Sequence, residues 1–182
     1  MPTFKPFQQY DEYDVINGIF QFTGVPPINK GTFVKVASGF LSDQHLRYES
    51  HVGASYGNTV SQRWGTPAIV KTCESSGDNT IGMTLYDYKE TDENGEKLIF
   101  KPSKAAELEV ILSGQSMPIV TRGLFLYSGI DGTPTAGNDA YLSTNGGLNT
   151  SGAFNSNPRC TRVGTFLGPK DANGVALLWL DL

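Results

Sequence analysis

Short stretches in which apolar and polar residues alternate recur along the chain, and turns rich in Gly, Pro, Asn and Asp separate them. This alternation predicts half-buried β-strands, because successive side chains of a strand point to opposite faces of the sheet. The predicted strands are 32–36, 68–73, 81–89, 118–129, 140–147, 162–168 and 174–182. Only residues 103–112 begin with a run of good helix formers. The pattern therefore predicts an all-β protein with at most one short helix.

The last predicted strand is unusual because it is apolar on both faces. Residues 175–182 comprise seven apolar residues and one aspartate. A strand with one solvated face would alternate, so this strand needs cover on both sides. A second sheet would supply it, as for the central strand of a barrel, and so would another protein. Trp179 and Leu182 are the predicted partner contacts of this strand.

An aromatic segment precedes the predicted strands. The chain has ten Phe and eight Tyr residues, and six of these 18 lie in residues 1–24, at spacings that match no helical face. We interpret 1–24 as an extended N-terminal arm and 25–182 as a single β-rich body. The arm packs on its own body or crosses to a neighbouring subunit, and the sequence leaves both open. Its predicted partner contacts are Phe4, Phe7, Tyr10, Tyr13, Phe20 and Phe22.

Two stretches of the body depart from the regular alternation. Residues 38–67 are polar and aromatic without a period, and about 30 residues exceed an ordinary connection, so we interpret them as a functional loop region or irregular strands. Residues 87–109 contain 11 ionisable side chains. Within them, Asn94-Gly95 predicts a tight turn that joins 85–90 to 97–101 as a hairpin in a solvated projection.

Composition and charge support the all-β prediction and exclude several classes of partner. Gly supplies 21 of 182 residues and charged residues only 18%, which favours turns and paired backbone over helices. The net charge of −4 argues against nucleic acid, whose phosphates require clustered Lys and Arg. The N-terminus lacks the apolar stretch of a signal peptide, and no window suits a membrane span, so we expect cytoplasmic synthesis and no membrane partner.

One motif requires examination as a catalytic site. Residues 53–57 match the G-x-S-x-G nucleophile elbow. That motif needs a following helix and a later histidine, whereas here the following residues predict no helix and both histidines, His45 and His51, precede Ser55. We assign no catalytic role to Ser55 and expect that the protein is not an enzyme.

The remaining chemistry-bearing residues form no recognisable site. His45 and His51, with Glu49, would make an open zinc site, but neither a zinc-binding spacing nor an acidic cluster accompanies them. Cys73 and Cys160 are far apart and lack the C-x-x-C spacing. In a reducing cytoplasm we expect no disulfide between them. The sequence thus predicts no metal and no cofactor.

Three pieces of the chain carry a resemblance to a known family: 10–36, 112–129 and 137–182. The last piece contains A-Y-L-S, then R-V-G-x-F-L, then A-L-L-x-L. In these pieces, about half of the chain, the sequence resembles small structural proteins of tailed bacteriophages, of the capsid decoration or cement type.

This resemblance implies a body of the β-barrel, β-tulip or sandwich kind that binds the outer surface of the mature capsid. Its partners would be the major capsid protein and other copies of itself, with a homotrimer favoured. It would be made in the cytoplasm of the host bacterium and reside on the virion. Its role would be mechanical, because non-covalent contacts would stabilise the capsid without catalysis.

Two other functions remain open at this stage. A carbohydrate-binding module is one, because Trp64, Tyr48, Tyr56 and His51 of the 38–67 region offer flat rings for stacking on sugars. A head-fibre or tail component of a phage is the other, since the patterns that carry the resemblance also suit such proteins.

Overall fold

The fold is nearly all β, as the alternation predicts. A computed structural model of the protein describes residues 4–6, 15–16, 20–22, 26–38, 68–112, 115–152 and 160–182, so all but the first residue of the 38–67 region lies outside it. The strands of these residues, in chain order, are β1 (Phe4–Pro6), β2 (Val15–Ile16), β3 (Phe20–Phe22), β4 (Phe33–Ser38), β5 (Ala68–Thr72), β6 (Gly82–Thr84), β7 (Asp87–Tyr88), β8 (Val110–Ile111), β9 (Ile119–Val120), β10 (Arg122–Tyr127), β11 (Ile130–Asp131), β12 (Asp139–Leu142), β13 (Leu148–Asn149), β14 (Arg162–Phe166) and β15 (Ala176–Asp181). Helix α1 spans Pro102–Glu107, and 3₁₀ turns span Leu98–Phe100 and Thr144–Gly146.

Two sheets make up the body. The first has the order β1-β10-β15-β14-β12-β13-β11 and is curled like half a barrel, and the second has the order β2-β9-β6-β4-β5-β3. Strands β7 and β8 form a separate parallel pair. The last strand, β15, pairs antiparallel with β10 on one side and β14 on the other, so it lies in the interior of the first sheet.

The main hydrophobic core lies between the two sheets. Phe33, Met83 and Val120 of the second sheet are fully buried in it. The buried side chains that the first sheet contributes include Phe125, Tyr127, Leu142, Val163, Phe166, Leu178 and Leu180. Burial of each large apolar side chain stabilises the fold by about 2 kcal/mol. This core therefore holds the two sheets face to face.

The second sheet has buried residues on both of its faces. Neighbouring side chains of β4 point to opposite faces of the sheet: Phe33 packs in the main core, and Val34 packs in a second cluster with Val70 and Ile119. Tyr88 and Met117 complete that second cluster. Cover on both sides explains why Phe33 and Val34, at consecutive positions of β4, are both apolar.

The described residues of the predicted arm belong to these sheets. Strand β1 pairs antiparallel with β10, and Phe4, opposite Tyr127, is only 2% exposed. The Phe4 ring centroid lies 4.7 Å from that of Phe125. Gly31 adjoins Phe4 with a φ of 84°, and a Cβ there would come within 2.7 Å of the Phe4 Cβ, so only glycine fits. Phe4 packs on its own body, which corrects its prediction as a partner contact.

Residues 87–112, which we call the projection, carry a small core of their own. Leu98, Ala105 and Val110 are buried together there, separately from the main core. Helix α1 begins at Pro102, one residue before the predicted 103–112 segment, and ends at Glu107, because the β-branched residues of β8 follow and pair with β7.

The hairpin predicted in the projection is correct at its turn and in the antiparallel pairing that follows, where Thr91 pairs with Lys97 and the N–H of Leu98 donates to the Glu90 carbonyl at 3.0 Å; it is wrong from Leu98 onward. The carboxylate of Asp92 accepts hydrogen bonds from the backbone N–H groups of Asn94 and Glu96, both at 2.8 Å. The predicted second strand is instead the 3₁₀ turn at Leu98–Phe100, because Leu98 is drawn into the small core and Pro102 begins α1.

Other features of the chain bear on its chemistry. Both cysteines are free thiols. Cys73 lies in the main core, where burial raises the pKa of its thiol to about 11. No helix within the described ranges is long and apolar enough to cross a bilayer.

A close backbone contact between β14 and β15 generates a first prediction. A Cβ at Gly164 would come within 2.1 Å of the backbone oxygen of Trp179, and only movement of the strands would relieve that clash. We expect Gly164→Ala to lower the free energy of unfolding by about 2 kcal/mol in urea denaturation. Gly168→Ala is the matched control, since a Cβ there meets no atom within 4 Å. Equal stability of the two variants would contradict the packing described for β14 and β15.

A carboxylate in the turn that follows β5 generates a second prediction. Asp78 accepts hydrogen bonds from Lys35 Nζ (2.7 Å) and from the N–H groups of Glu74 (2.9 Å) and Ser75 (3.0 Å). Burial alone would raise the pKa of Asp78, but these hydrogen bonds outweigh burial and lower the pKa below its usual value of 3.8. The charged carboxylate therefore stabilises the fold above that value.

That stabilisation should disappear as the pH falls through the lowered pKa of Asp78, because the unfolded chain binds the proton first. We expect Asp78→Asn to reduce the free energy of unfolding at neutral pH and to have a much smaller effect near about pH 2. Urea denaturation at both pH values measures the difference. Glu74→Gln, which removes only the exposed ion pair with Lys71, is the control and should have little effect at either pH.

Candidate interaction surface

Trp179 lies on the solvent-facing side of the first sheet. Its neighbours in β15, Leu178 and Leu180, point into the main core, so the strand geometry directs Trp179 to the opposite face, where it is 50% exposed. The sequence predicted cover on both sides of the last strand. Among the described residues, only the inner side of that strand is fully covered. A half-exposed tryptophan in the middle of a sheet is a candidate contact for a partner.

Strand register places apolar residues beside Trp179 on β10 and further along β15 and β14, whereas Thr165 lies directly opposite it on β14. On β10, Leu124 lies opposite Trp179 and Leu126 lies opposite Leu177. The N–H of Leu167 donates to the Leu177 carbonyl at 2.9 Å, which continues the β14–β15 pairing and places the exposed Leu167 beside Leu177. Side chains directly opposite one another in such pairs lie about 5 Å apart. Trp179 and these four leucines form what we call the outer face.

Ion pairs border the outer face at two places. Arg122 Nη2 lies 2.9 Å from Asp181 Oδ1, two cross-strand pairs beyond Trp179 and on the same face of the sheet. On the other side Arg162 Nε donates to Asp139 Oδ1 at 2.7 Å, and its Nη2 donates to Thr165 Oγ1 at 2.9 Å. The hydrogen bond from Arg162 is the main reason that the pKa of Asp139 is lowered. The two ion pairs form a polar rim.

An apolar centre with a polar rim is the usual anatomy of a protein–protein contact. A tryptophan buries up to about 250 Å². Covering the exposed half of Trp179 would contribute about 2 to 3 kcal/mol, the magnitude of a binding hot spot. The outer face therefore has the chemistry to bind a complementary protein surface.

The predicted partner contacts that the structure describes do not come together in one place. Trp179 and Leu182 are exposed at the end of β15. Phe4 is on the inner side of the same sheet, two strands away. The backbone places Phe20 and Phe22 on β3, at the edge of the second sheet. The arm contacts that lie outside the described residues are Phe7, Tyr10 and Tyr13.

The residues considered for catalysis, metal binding and sugar stacking lie elsewhere in the chain. Those outside the described residues are Tyr48, Glu49, His45, His51, Ser55, Tyr56 and Trp64. Within the described ranges no group of three or more His, Cys, Asp or Glu side chains is arranged to hold a metal ion.

Sequence reasoning missed most of the outer face. Both phases of β10 are apolar, so the alternation alone did not reveal that Phe125 points inward and that Leu124 and Leu126 point outward. The one indication was Arg122, which shares their phase and is exposed. The exposed apolar residues of the projection, which include Phe100, were missed as well because the charges around them suggested a solvated segment.

Comparison with known proteins gave no significant match to a protein-family model, to a curated protein or to a solved structure. The outer face is therefore interpreted from its own chemistry.

The two faces of β15 should respond differently to substitution. Leu178→Ala opens a cavity in the main core, and we expect it to lower the free energy of unfolding by about 3 kcal/mol. Trp179→Ser changes a side chain outside that core and should cost about 1 kcal/mol or less. Urea denaturation followed by circular dichroism measures both. A Trp179→Ser variant as unstable as Leu178→Ala would show that Trp179 serves the fold rather than a partner.

Proposed function

We propose that the protein is a virion structural protein of the capsid decoration type, which binds the outer surface of a mature phage capsid. Its partner is the major capsid protein, and it acts by non-covalent attachment rather than by catalysis. The resemblance of residues 10–36, 112–129 and 137–182 to such proteins suggests the partner, and the outer face suggests the mode of attachment.

The position of Trp179 is the observation that carries the proposal. Strands β10, β14 and β15 hold it in a paired sheet, so little conformational entropy is lost when a partner covers it. Leucines lie beside it on β10 and β15, Thr165 lies opposite it on β14, and two ion pairs border it. The acidic net charge of −4 supports the proposal too, because such a surface avoids adhesion to nucleic acid during assembly.

Stabilisation of the capsid follows from selective binding. A protein that binds only the expanded lattice favours that state by RT ln(1 + [L]/Kd), about 2.7 kcal/mol per site at a hundredfold excess over Kd. Self-association, for which we propose a homotrimer, would place several outer faces on one particle. Modest contacts would then add up to strong attachment.

Co-sedimentation with purified shells tests the proposal. We expect the wild-type protein to pellet with expanded shells and to remain in solution with unexpanded ones. Trp179→Ser should weaken binding at least about tenfold because it removes the centre of the outer face. Val36→Ser, which alters a 42% exposed apolar side chain of the second sheet, is the matched control and should bind as the wild type does.

Several results would contradict the proposal. A wild-type protein that ignores both kinds of shell does not decorate capsids, and equal binding to both removes the preference for the expanded state. Binding to fibre or tail preparations, or to glycans, in place of shells would favour the functions left open by the sequence. Equal losses of shell binding for Trp179→Ser and Val36→Ser would show that the outer face is not the contact with the shell.

A further inference from the structure

The projection exposes apolar side chains that its own small core does not use. Phe100 is 80% exposed, and Ile99 and Leu108 are exposed as well. Phe100 and Leu108 lie just before and just after α1, and Ile99 adjoins Phe100 in the 3₁₀ turn. We call these three residues the Phe100 surface. Leu98, the first residue of the same turn, is fully buried, so the turn divides its apolar residues between an inner and an outer side.

The backbone under the Phe100 surface is held firmly. The Asp92 carboxylate fixes the preceding turn through two backbone hydrogen bonds. Two ion pairs, Lys104 with Asp92 and Lys101 with Glu96, join the helix and the 3₁₀ turn region to that same turn. Because the backbone of this turn already makes these hydrogen bonds, burial of Phe100 by a partner would require little further ordering of the backbone.

Charge around the Phe100 surface selects among partners. Residues 87–109 contain seven acidic and four basic side chains, a net charge of −3. Lys89, Lys101 and Lys104 are each paired with an acid. Among the described residues, Lys97 is the one base of this segment outside an ion pair. The acids of the segment that are likewise outside an ion pair are Glu90, Glu93, Glu107 and Glu109.

This excess of acid disfavours anionic lipid and nucleic acid, both of which bind proteins through basic residues. It favours a protein surface that combines an apolar pocket with Lys or Arg at its border, because opposite charges steer association and penalise wrong partners. A protruding phenylalanine suits a pocket rather than a flat surface.

We propose that the Phe100 surface is a second docking site, which inserts Phe100 into an apolar pocket of a partner protein with a basic rim. It is separate from the outer face, which belongs to the first sheet and has both signs of charge at its border. The inference depends on the projection alone and does not require that the partner be a capsid protein.

Titration of the full-length protein with synthetic peptides tests this inference. The probes are a short amphipathic peptide of leucine and lysine and its counterpart with glutamate in place of lysine. We expect the wild type to bind the lysine peptide and not the glutamate peptide in isothermal titration calorimetry. Phe100→Ser should weaken binding of the lysine peptide at least about tenfold without loss of fold, because Phe100 lies outside every core.

The controls separate this surface from general charge and from the outer face. Phe100→Ser leaves every charge in place, while Glu107→Gln combined with Glu109→Gln removes two acids and should weaken binding and reduce its dependence on salt. Trp179→Ser and Val36→Ser should bind the lysine peptide as the wild type does.

The proposal is overturned if Phe100→Ser binds the lysine peptide as the wild type does. It is also overturned if Trp179→Ser or Val36→Ser loses as much affinity as Phe100→Ser. It is equally overturned if the glutamate peptide binds as well as the lysine peptide. Self-association that Phe100→Ser abolishes would identify a second copy of the chain, not a basic partner, as the occupant. Because no capsid enters these measurements, the result is independent of the co-sedimentation experiment.

Discussion

The pairing of β15 with β10 and β14 is the constraint from which the other features of the first sheet follow. Leu178 and Leu180 anchor the strand in the main core, and Gly164 allows the β14 backbone to approach it closely. Side chains alternate along a strand, so a slip of one residue would bury Trp179 and expose both leucines. The burial of apolar surface thus fixes the register, and the register fixes which residues face outward.

The body of the protein presents two surfaces that differ in construction and charge. The outer face rests on three paired strands and the main core, with both signs of charge at its border. The Phe100 surface rests on a 3₁₀ turn, a six-residue helix and a small core, and it is acidic. Surfaces that differ in this way suit different partners, so the two proposed contacts do not compete for one ligand.

Local features of the fold were predictable from sequence, because they depend on neighbouring residues. The alternation located β14, the short apolar run after a Gly-containing turn located β15, and Asn94-Gly95 located the turn of the projection. Contacts between distant parts of the chain were not predictable. Phe4 is buried because Phe125 and Gly31 meet it in space, and residues 98–100 leave the extended conformation because Leu98 reaches the small core. Tertiary packing overrides local preference at such positions.

The same limit applied to the candidate site. Trp179 and Leu182 were identified from the apolar character of the last strand, but the leucines beside Trp179 became visible only through strand register. The charge of residues 87–109 suggested a solvated segment, and that suggestion obscured Phe100. A single sequence records which residues are apolar, whereas the fold decides which of them water still reaches.

The division of β15 into two faces also bears on how such a protein diversifies. Residues that point outward from β10, β14 and β15 contribute little to the main core, so mutation there is under weak constraint from folding. Lineages that encounter altered partners are therefore free to rewrite these positions one at a time. The inward positions meanwhile keep the core unchanged, so the surface chemistry of the strand can change while the fold stays the same.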